Sequence, residues 1–222
     1  MSLVHLGIIA DGNRRWAKAQ GLPTIEGHKK GLEVIEELVA SAGDAGIKYI
    51  TFYVFSTENW GRSAAEVSYI MKLAETRILK YAEKLAKNNA RMLILGSKEK
   101  ISPKLASAME KAETITAECT GITVCFCFNY GGEREIADAA NAAARKGEIT
   151  SEAIRENLYH PEVPDVDMVV RTSGEERISG FMLWRVAYSE FLFLKKYFPE
   201  MTGADIKEIL KEYENRNRRF GK

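Results

Sequence analysis

The chain has 222 residues, of which 45% are hydrophobic and 28% charged, and its formal net charge is +1. That length suits one large domain or two small ones, and the composition suits a globular protein with a substantial core. The near-neutral balance argues against nucleic acid as a partner and against an acidic membrane acting on the whole surface, so any basic site must be local.

The pattern then alternates along the chain. LVHLGIIA (3–10) reads as a strand and HKKGLEVIEELVASAGDAG (28–46) as a helix ended by glycine. YITFYVFS (49–56) is a β-branched and aromatic strand, and residues 64–89 form a long amphipathic helix. A strand at 90–96, a helix at 102–119, a strand at 121–129 and a helix at 133–147 follow. Strands at 167–173 and 189–194 and a closing helix at 203–220 complete the series. No linker, repeat or low-complexity tract divides it, so 1–222 is expected to be a single domain. Strands alternating with helices, several apolar on both faces, predict an α/β fold: a central, mostly parallel six-stranded sheet flanked by helices.

Cys119, Cys125 and Cys127 form no CxxC pair, which argues against a disulfide framework or a zinc site. Cys125 and Cys127 share one face of an apolar run and read as buried thiols. The start, MSLVHLGIIADGN, lacks the basic segment and long apolar run of a signal peptide. No stretch reaches the roughly 18 apolar residues of a membrane span. A cytoplasmic protein is expected.

In parallel sheets function gathers beyond the carboxyl ends of the strands. The first strand ends in Asp11-Gly12-Asn13 with Arg14, Arg15 and Trp16, and the second in Ser56, Asn59, Trp60 and Arg62. The fourth ends in Asn129-Tyr130-Gly131-Gly132, and the fifth in Arg171, Ser173, Gly174, Arg177 and Ser179. Taken singly, Asp11-Gly12 is an ordinary turn and the tryptophans are core residues. Four such ends on one rim point to an anion site, because guanidinium forks match phosphate oxygens in pairs. An acid among these cations, Asp11, suits a hard metal such as Mg2+, which takes one or two carboxylates and completes its shell with phosphate and water. Glu190 is a second candidate metal ligand. No GxGxxG follows the first strand and no GxxxxGK[ST] occurs, so neither a dinucleotide fold nor a P-loop is signalled.

The stretches DGNRRWAKAQG…GHKKG, FYVFSTENWGR, FNYGG and RTSGEERISGFMLWRVAYSEFLF, in this order, resemble the cis-prenyltransferases, the undecaprenyl diphosphate synthase family. The resemblance runs from about residue 4 to the terminal RNRRFG, nearly the whole chain. It implies Mg2+-dependent condensation of isopentenyl diphosphate with an allylic prenyl diphosphate, making a cis double bond, and an apolar tunnel for the growing chain. Helix 64–89 and strand 49–55 are the expected tunnel walls.

The resemblance also implies roles. Asp11 would hold the metal at the diphosphates. Gly12, Asn13, Arg15, Trp16 and His28, with Arg62 nearby, would take the allylic diphosphate. Arg171, Arg177 and Ser179 would take isopentenyl diphosphate. Ser56, Asn59 and Trp60 would lie on a segment that closes over the substrates. Glu190 matches a family carboxylate near the metal. The proton lost from isopentenyl diphosphate could go to the diphosphate itself or to Asp11 acting with Asn59 and His28. Family members are homodimers, or pair with an inactive homologue, and the RRFG tail can contribute to a site. Membrane contact would be at most peripheral, for product release.

Several positions depart from the family pattern: Ala10 for Met, Thr24 for Arg, Ser63 for Pro, Glu133-Arg134 in reversed charge order, Gly180 for Asn, and Arg185 for Gln. Thr24 predicts weakened or altered allylic recognition, and Val54 a shorter product. The alternative reading is an irregular prenyltransferase that joins allylic diphosphates. A non-catalytic binding subunit ranks lower, because Asp11, Arg171 and Arg177 are all present.

Overall fold

Every residue of β1 (His5–Ile9) is buried, as a strand covered on both faces must be. It sits inside a sheet with β2 (Tyr49–Ser56), β3 (Arg91–Leu95), β4 (Thr123–Tyr130), β5 (Met168–Arg171) and β6 (Glu190–Phe193). The strand order is β3-β4-β2-β1-β5-β6. All the pairings are parallel, so "mostly parallel" understated the sheet. The computed structural model describes residues 2–216.

Helices cover both faces: α1 (Asn13–Ala19), α2 (Thr24–Asp44), α3 (Ala64–Lys87), α4 (Pro103–Ile115), α5 (Gly132–Lys146), α6 (Ser151–Arg155) and α7 (Gly203–Glu214). Side-chain alternation divides the core. Leu6, Ile8, Ile50 and Phe52 face one way, onto Ile35 and Leu38 of α2, Leu85 of α3 and Ile206 of α7. Ile9, Tyr53, Cys125 and Cys127 face the other way, onto Phe181, Met182 and Val186. The two cysteines are fully buried thiols, as expected, and burial pushes Cys125 up to about 12.

Three helical features differ from expectation. α1 was not foreseen, because its cap, Gly12, has no side chain to announce a helix and the element is only seven residues long. α2 begins at Thr24, directly after Pro23, four residues before its expected start. α6 also went unseen, although Thr150 caps it by accepting from Ala153 N at 3.1 Å. The expected closing helix is seen as Gly203–Glu214, and the RRFG tail lies outside the described residues.

A fully buried ion pair locks the irregular segment between β5 and β6. Arg185 Nη1 donates to Glu135 Oε1 at 2.8 Å, and neither side chain is exposed at all. The rest of the guanidinium donates to the carbonyls of Tyr159 (2.8 Å), His160 (3.1 Å) and Val163 (3.2 Å). Tyr130 donates to the other oxygen of Glu135. A buried charge is tolerated only when satisfied in this way. This network gives Arg185, one of the departures noted above, a local reason.

Inside β1, His5 Nδ1 donates to Pro164 O at 2.9 Å, which leaves Nε2 to accept from Thr51 Oγ1 at 2.7 Å. The imidazole is therefore neutral. Burial, opposed by the Pro164 hydrogen bond and aided by the Arg185 charge, lowers its pKa to about 4.

Two predictions follow from these buried groups. Arg185→Met leaves Glu135 charged and unpaired, and urea unfolding should show a loss of about 3–5 kcal/mol. The double variant Arg185→Met/Glu135→Leu should regain most of it. For His5 the folded pKa lies below the unfolded value of 6.5, so its contribution is complete above that value. It should fall away by about 3 kcal/mol as pH drops from 6.5 towards 4, and His5→Gln should lack that part of the slope.

Candidate active site

The register Ile9↔Arg171 sets the end of β1 beside the end of β5. The chain leaving β1 is tied to the chain leaving β5 by Thr172, whose Oγ1 donates to Asp11 O at 2.6 Å and accepts from Asp11 N at 3.0 Å. Gly12 then turns with φ +99°, and a Cβ there would lie 2.7 Å from the Tyr197 ring. Only glycine suits both conditions.

This turn presents the Asp11 carboxylate. Its Oδ1 accepts from Gly12 N at 2.7 Å and lies 3.2 Å from Arg15 Nη2, while Oδ2 accepts from Arg171 Nη2 at 2.9 Å. Partial burial pushes the Asp11 pKa up, but the hydrogen bond and charge of Arg171, with the charge of Arg15, outweigh it and hold the carboxyl below its usual value. Arg171 is 4% exposed, donates also to Ser179 Oγ (2.9 Å) and Arg177 O, and keeps a buried Nε without a partner. Arg15 lies over the Tyr197 ring, donates to Ser173 Oγ, and meets Glu175 at 2.9 Å. Glu175 also holds the exposed Arg177 at 2.5 Å. Asp11, Arg15, Arg171, Arg177 and Ser179 thus come together, as their strand-end positions led us to expect.

A second group sits across α1, α2 and the start of α3. His28, Arg14 and Arg62 surround Glu66. Asn13 donates to Ala10 O at 3.2 Å, and its Oδ1 is buried without a partner. His28 Nε2 is likewise buried without a hydrogen bond, and burial, with the charges of Arg62 and Arg14, lowers the His28 pKa against the pull of Glu66. Behind this rim lies an apolar cavity of about 170 Å³ between the sheet, α2 and α3. Ala10, Asn13, His28 and Val54 line it, together with Leu73 and Ile78 of α3 and Phe126 of β4.

The segment after β2 is a one-turn 3-10 helix, Thr57–Gly61. Ser56 caps it, and Asn59 Oδ1 accepts from Ser56 N at 3.2 Å. Trp60 Nε1 donates to Asn129 Oδ1 at 2.7 Å, and Asn129 in turn donates to Ser97 O and Glu99 O. Trp16 is half-buried on α1.

Glu190 needs correction. It opens β6, opposite Met168, whereas Asp11 follows the far end of β1. Three rungs, about 10 Å along the strands, and two strands therefore separate it from the Asp11 end of the sheet. Its carboxylate pairs with Arg216 at 3.2 Å. Within one chain it cannot share a metal with Asp11.

The departures from the family pattern gain local reasons. Gly180 has φ +75°, a conformation that glycine and asparagine both tolerate. Ser63 caps α3 by accepting from Glu66 N at 3.4 Å. Arg134 pairs with Asp138 at 2.9 Å and with Glu99 at 2.7 Å. Ala10 lines the cavity and packs against the core. Thr24 simply opens α2.

Sequence reasoning missed Glu66, Thr172, Glu175 and Tyr197. Glu66 had a signal, its position four residues after Arg62 at a helix start. Tyr197 had none.

Asp11 suits a metal in one respect: it is ionised and part-exposed, with free lone pairs. Among the described residues no group of three or more His, Cys, Asp or Glu could enclose an ion. A metal here would be shared with a ligand's own oxygens, as magnesium commonly is.

Comparison with known proteins agrees with this geometry. Residues 9–221 match the family model described as putative undecaprenyl diphosphate synthase. An isoprenyl transferase of Thermotoga maritima is 44% identical over 98% of this chain and 96% of its own length. The crystal structure of lavandulyl diphosphate synthase from Lavandula x intermedia, in complex with dimethylallyl diphosphate, superposes with a TM-score of 0.95 at 30% identity, covering 100% of this chain and 99% of that one. That of a probable undecaprenyl diphosphate synthase from Campylobacter jejuni gives 0.87 at 31% identity over the whole of both chains. A strand-end acid ringed by arginines, an apolar cavity behind it and these likenesses along nearly the whole length lead to one assignment: the chain belongs to the undecaprenyl diphosphate synthase family of prenyltransferases.

Proposed function

We propose that the protein joins isopentenyl diphosphate to an allylic prenyl diphosphate, releasing diphosphate and forming a cis double bond. One observation carries this reading: a rim of guanidinium groups around Asp11 adjoins an apolar cavity. Such a site fits an amphiphile with an anionic head and a hydrocarbon tail. The allylic diphosphate lies at Gly12, Asn13, Arg15 and His28, with Arg62 beside it and its tail in the cavity. Isopentenyl diphosphate lies at Arg171, Arg177 and Ser179. Ser56, Asn59 and Trp60 close over the pair.

Asp11 would hold Mg2+, which supplies charge neutralisation to the departing diphosphate. The residues do the rest. Arg15 and Arg62 stabilise negative charge on the leaving oxygens as the allylic C–O bond breaks. Arg171 and Arg177 hold the second diphosphate so that its alkene meets the allylic carbon. The new C–C bond leaves a proton to be lost. The neutral ring of His28, whose pKa burial lowers, is the better base on the rim, and the diphosphate itself is the other acceptor; Asp11, held low by Arg171 and Arg15, is the weaker one. A homodimer with at most peripheral membrane contact belongs to the same reading. No helix among the described residues is long and apolar enough to cross a membrane.

A second reading is favoured by the closer superposition on lavandulyl diphosphate synthase, whose structure holds dimethylallyl diphosphate. On it, two allylic diphosphates are joined and no isopentenyl diphosphate is consumed.

Two experiments test this. Purified protein with magnesium, labelled isopentenyl diphosphate and allylic primers of increasing length should give labelled polyprenyl products, resolved by chromatography. Product from dimethylallyl diphosphate alone would instead establish the second reading. Asp11→Asn, similar in size, should lower kcat by about 10²–10³-fold or more while the circular dichroism spectrum is unchanged. Activity close to wild type would remove Asp11 from the metal site.

A further inference from the structure

Glu66 has no place in the roles described above, yet it lies where several of them meet. It sits in the first turn of α3, with its backbone N–H capped by Ser63 Oγ. Its side chain is only 12% exposed. Oε1 accepts from Arg62 Nη1 at 3.0 Å and lies 3.5 Å from His28 Nε2, while Oε2 lies 3.6 Å from Arg14 Nη1. The three partners come from three places: α1, α2 and the segment that follows β2.

Without an anion between them, the Arg14 and Arg62 guanidinium groups would repel one another, and the neutral His28 ring would lose the acceptor beside its Nε2. Long side chains would then spread towards water, and the start of α3 would lose the contacts that Glu66 makes with Arg14 of α1 and His28 of α2. α3 also carries Ile70, Leu73 and Ala74 of the cavity wall. One carboxylate therefore ties the rim to the wall behind it.

We propose that Glu66 is the positioning residue of the allylic half of the site, gathering the cations Arg62 and Arg14 and the neutral His28 and holding α3 against α1 and α2, so that these donors stand assembled before a diphosphate arrives. This rests on the reading that the rim takes a prenyl diphosphate. It contrasts with a plain electrostatic view, in which a carboxylate beside an anion site merely repels the anion. The two views give opposite signs for its neutral replacement.

Glu66→Gln has nearly the same shape and retains one hydrogen-bond acceptor, so the fold should persist, as thermal melting will verify. Glu66→Asp keeps the charge on a shorter arm. Calorimetric titration with inorganic diphosphate needs no turnover. Glu66→Gln should weaken that binding about tenfold or more, with Glu66→Asp in between. In steady-state assays KM for the allylic substrate should rise by a similar factor, with KM for isopentenyl diphosphate within twofold of wild type. Tighter or unchanged diphosphate binding in Glu66→Gln would overturn the proposal and leave prenyl transfer standing, as would equal rises in both KM values. Conversely, wild-type protein that binds diphosphate but makes no prenyl product refutes prenyl transfer, while the titrations still decide the role of Glu66.

Discussion

The hydrogen-bonded pair of Asp11 and Arg171 is the contact on which the site depends. A carboxylate at the end of one strand meets a nearly buried guanidinium at the end of its neighbour. The parallel register of β1 and β5 makes this meeting unavoidable once Ile9 stands opposite Arg171. The consequences run outward. Thr172 ties the two strand exits together, Gly12 turns under Tyr197, and Arg15 is brought back over Asp11 one helical turn later.

The protein concentrates cations without becoming basic. Its net charge is +1, yet Arg14, Arg15, Arg62, Arg171 and Arg177 crowd one rim. Two carboxylates make the crowding stable in the absence of ligand: Glu175 bridges Arg15 and Arg177, and Glu66 gathers Arg62, Arg14 and His28. A rim pre-organised in this way loses less side-chain freedom on binding than one that must assemble around the ligand. Arg185 and Glu135 use the same chemistry for a different end, fixing the segment between β5 and β6 that also carries Arg177 and Ser179.

Much of this was legible in the residues. Apolar runs alternating with helical periodicity specify a parallel α/β sheet, and that sheet specifies the rim on which Asp11, Arg15, Arg171 and Ser179 meet. α1 was hidden because a seven-residue helix capped by glycine carries no capping side chain, and with Ala17 its one buried residue it shows no apolar stripe. Glu190 was misplaced because AYSEFLF shows that a strand is near but not which end of it the acid occupies. Glu66 was overlooked because a glutamate at a helix start is usually a solvated dipole partner; only the approach of α1 and α2 buries it.

Element types, the parallel sheet, the strand ends rich in arginine and glycine and the family could all be read from the residues, because periodicity, turn residues and long motifs are local properties of the chain. Packing set the strand order, the depression of the Asp11 pKa, the joining of His28 and Arg62 through Glu66, the separation of Glu190 from Asp11 within one chain, and the cavity behind the rim. Each of these depends on distances between residues far apart in the chain, and a chain's order does not specify such distances until it has packed.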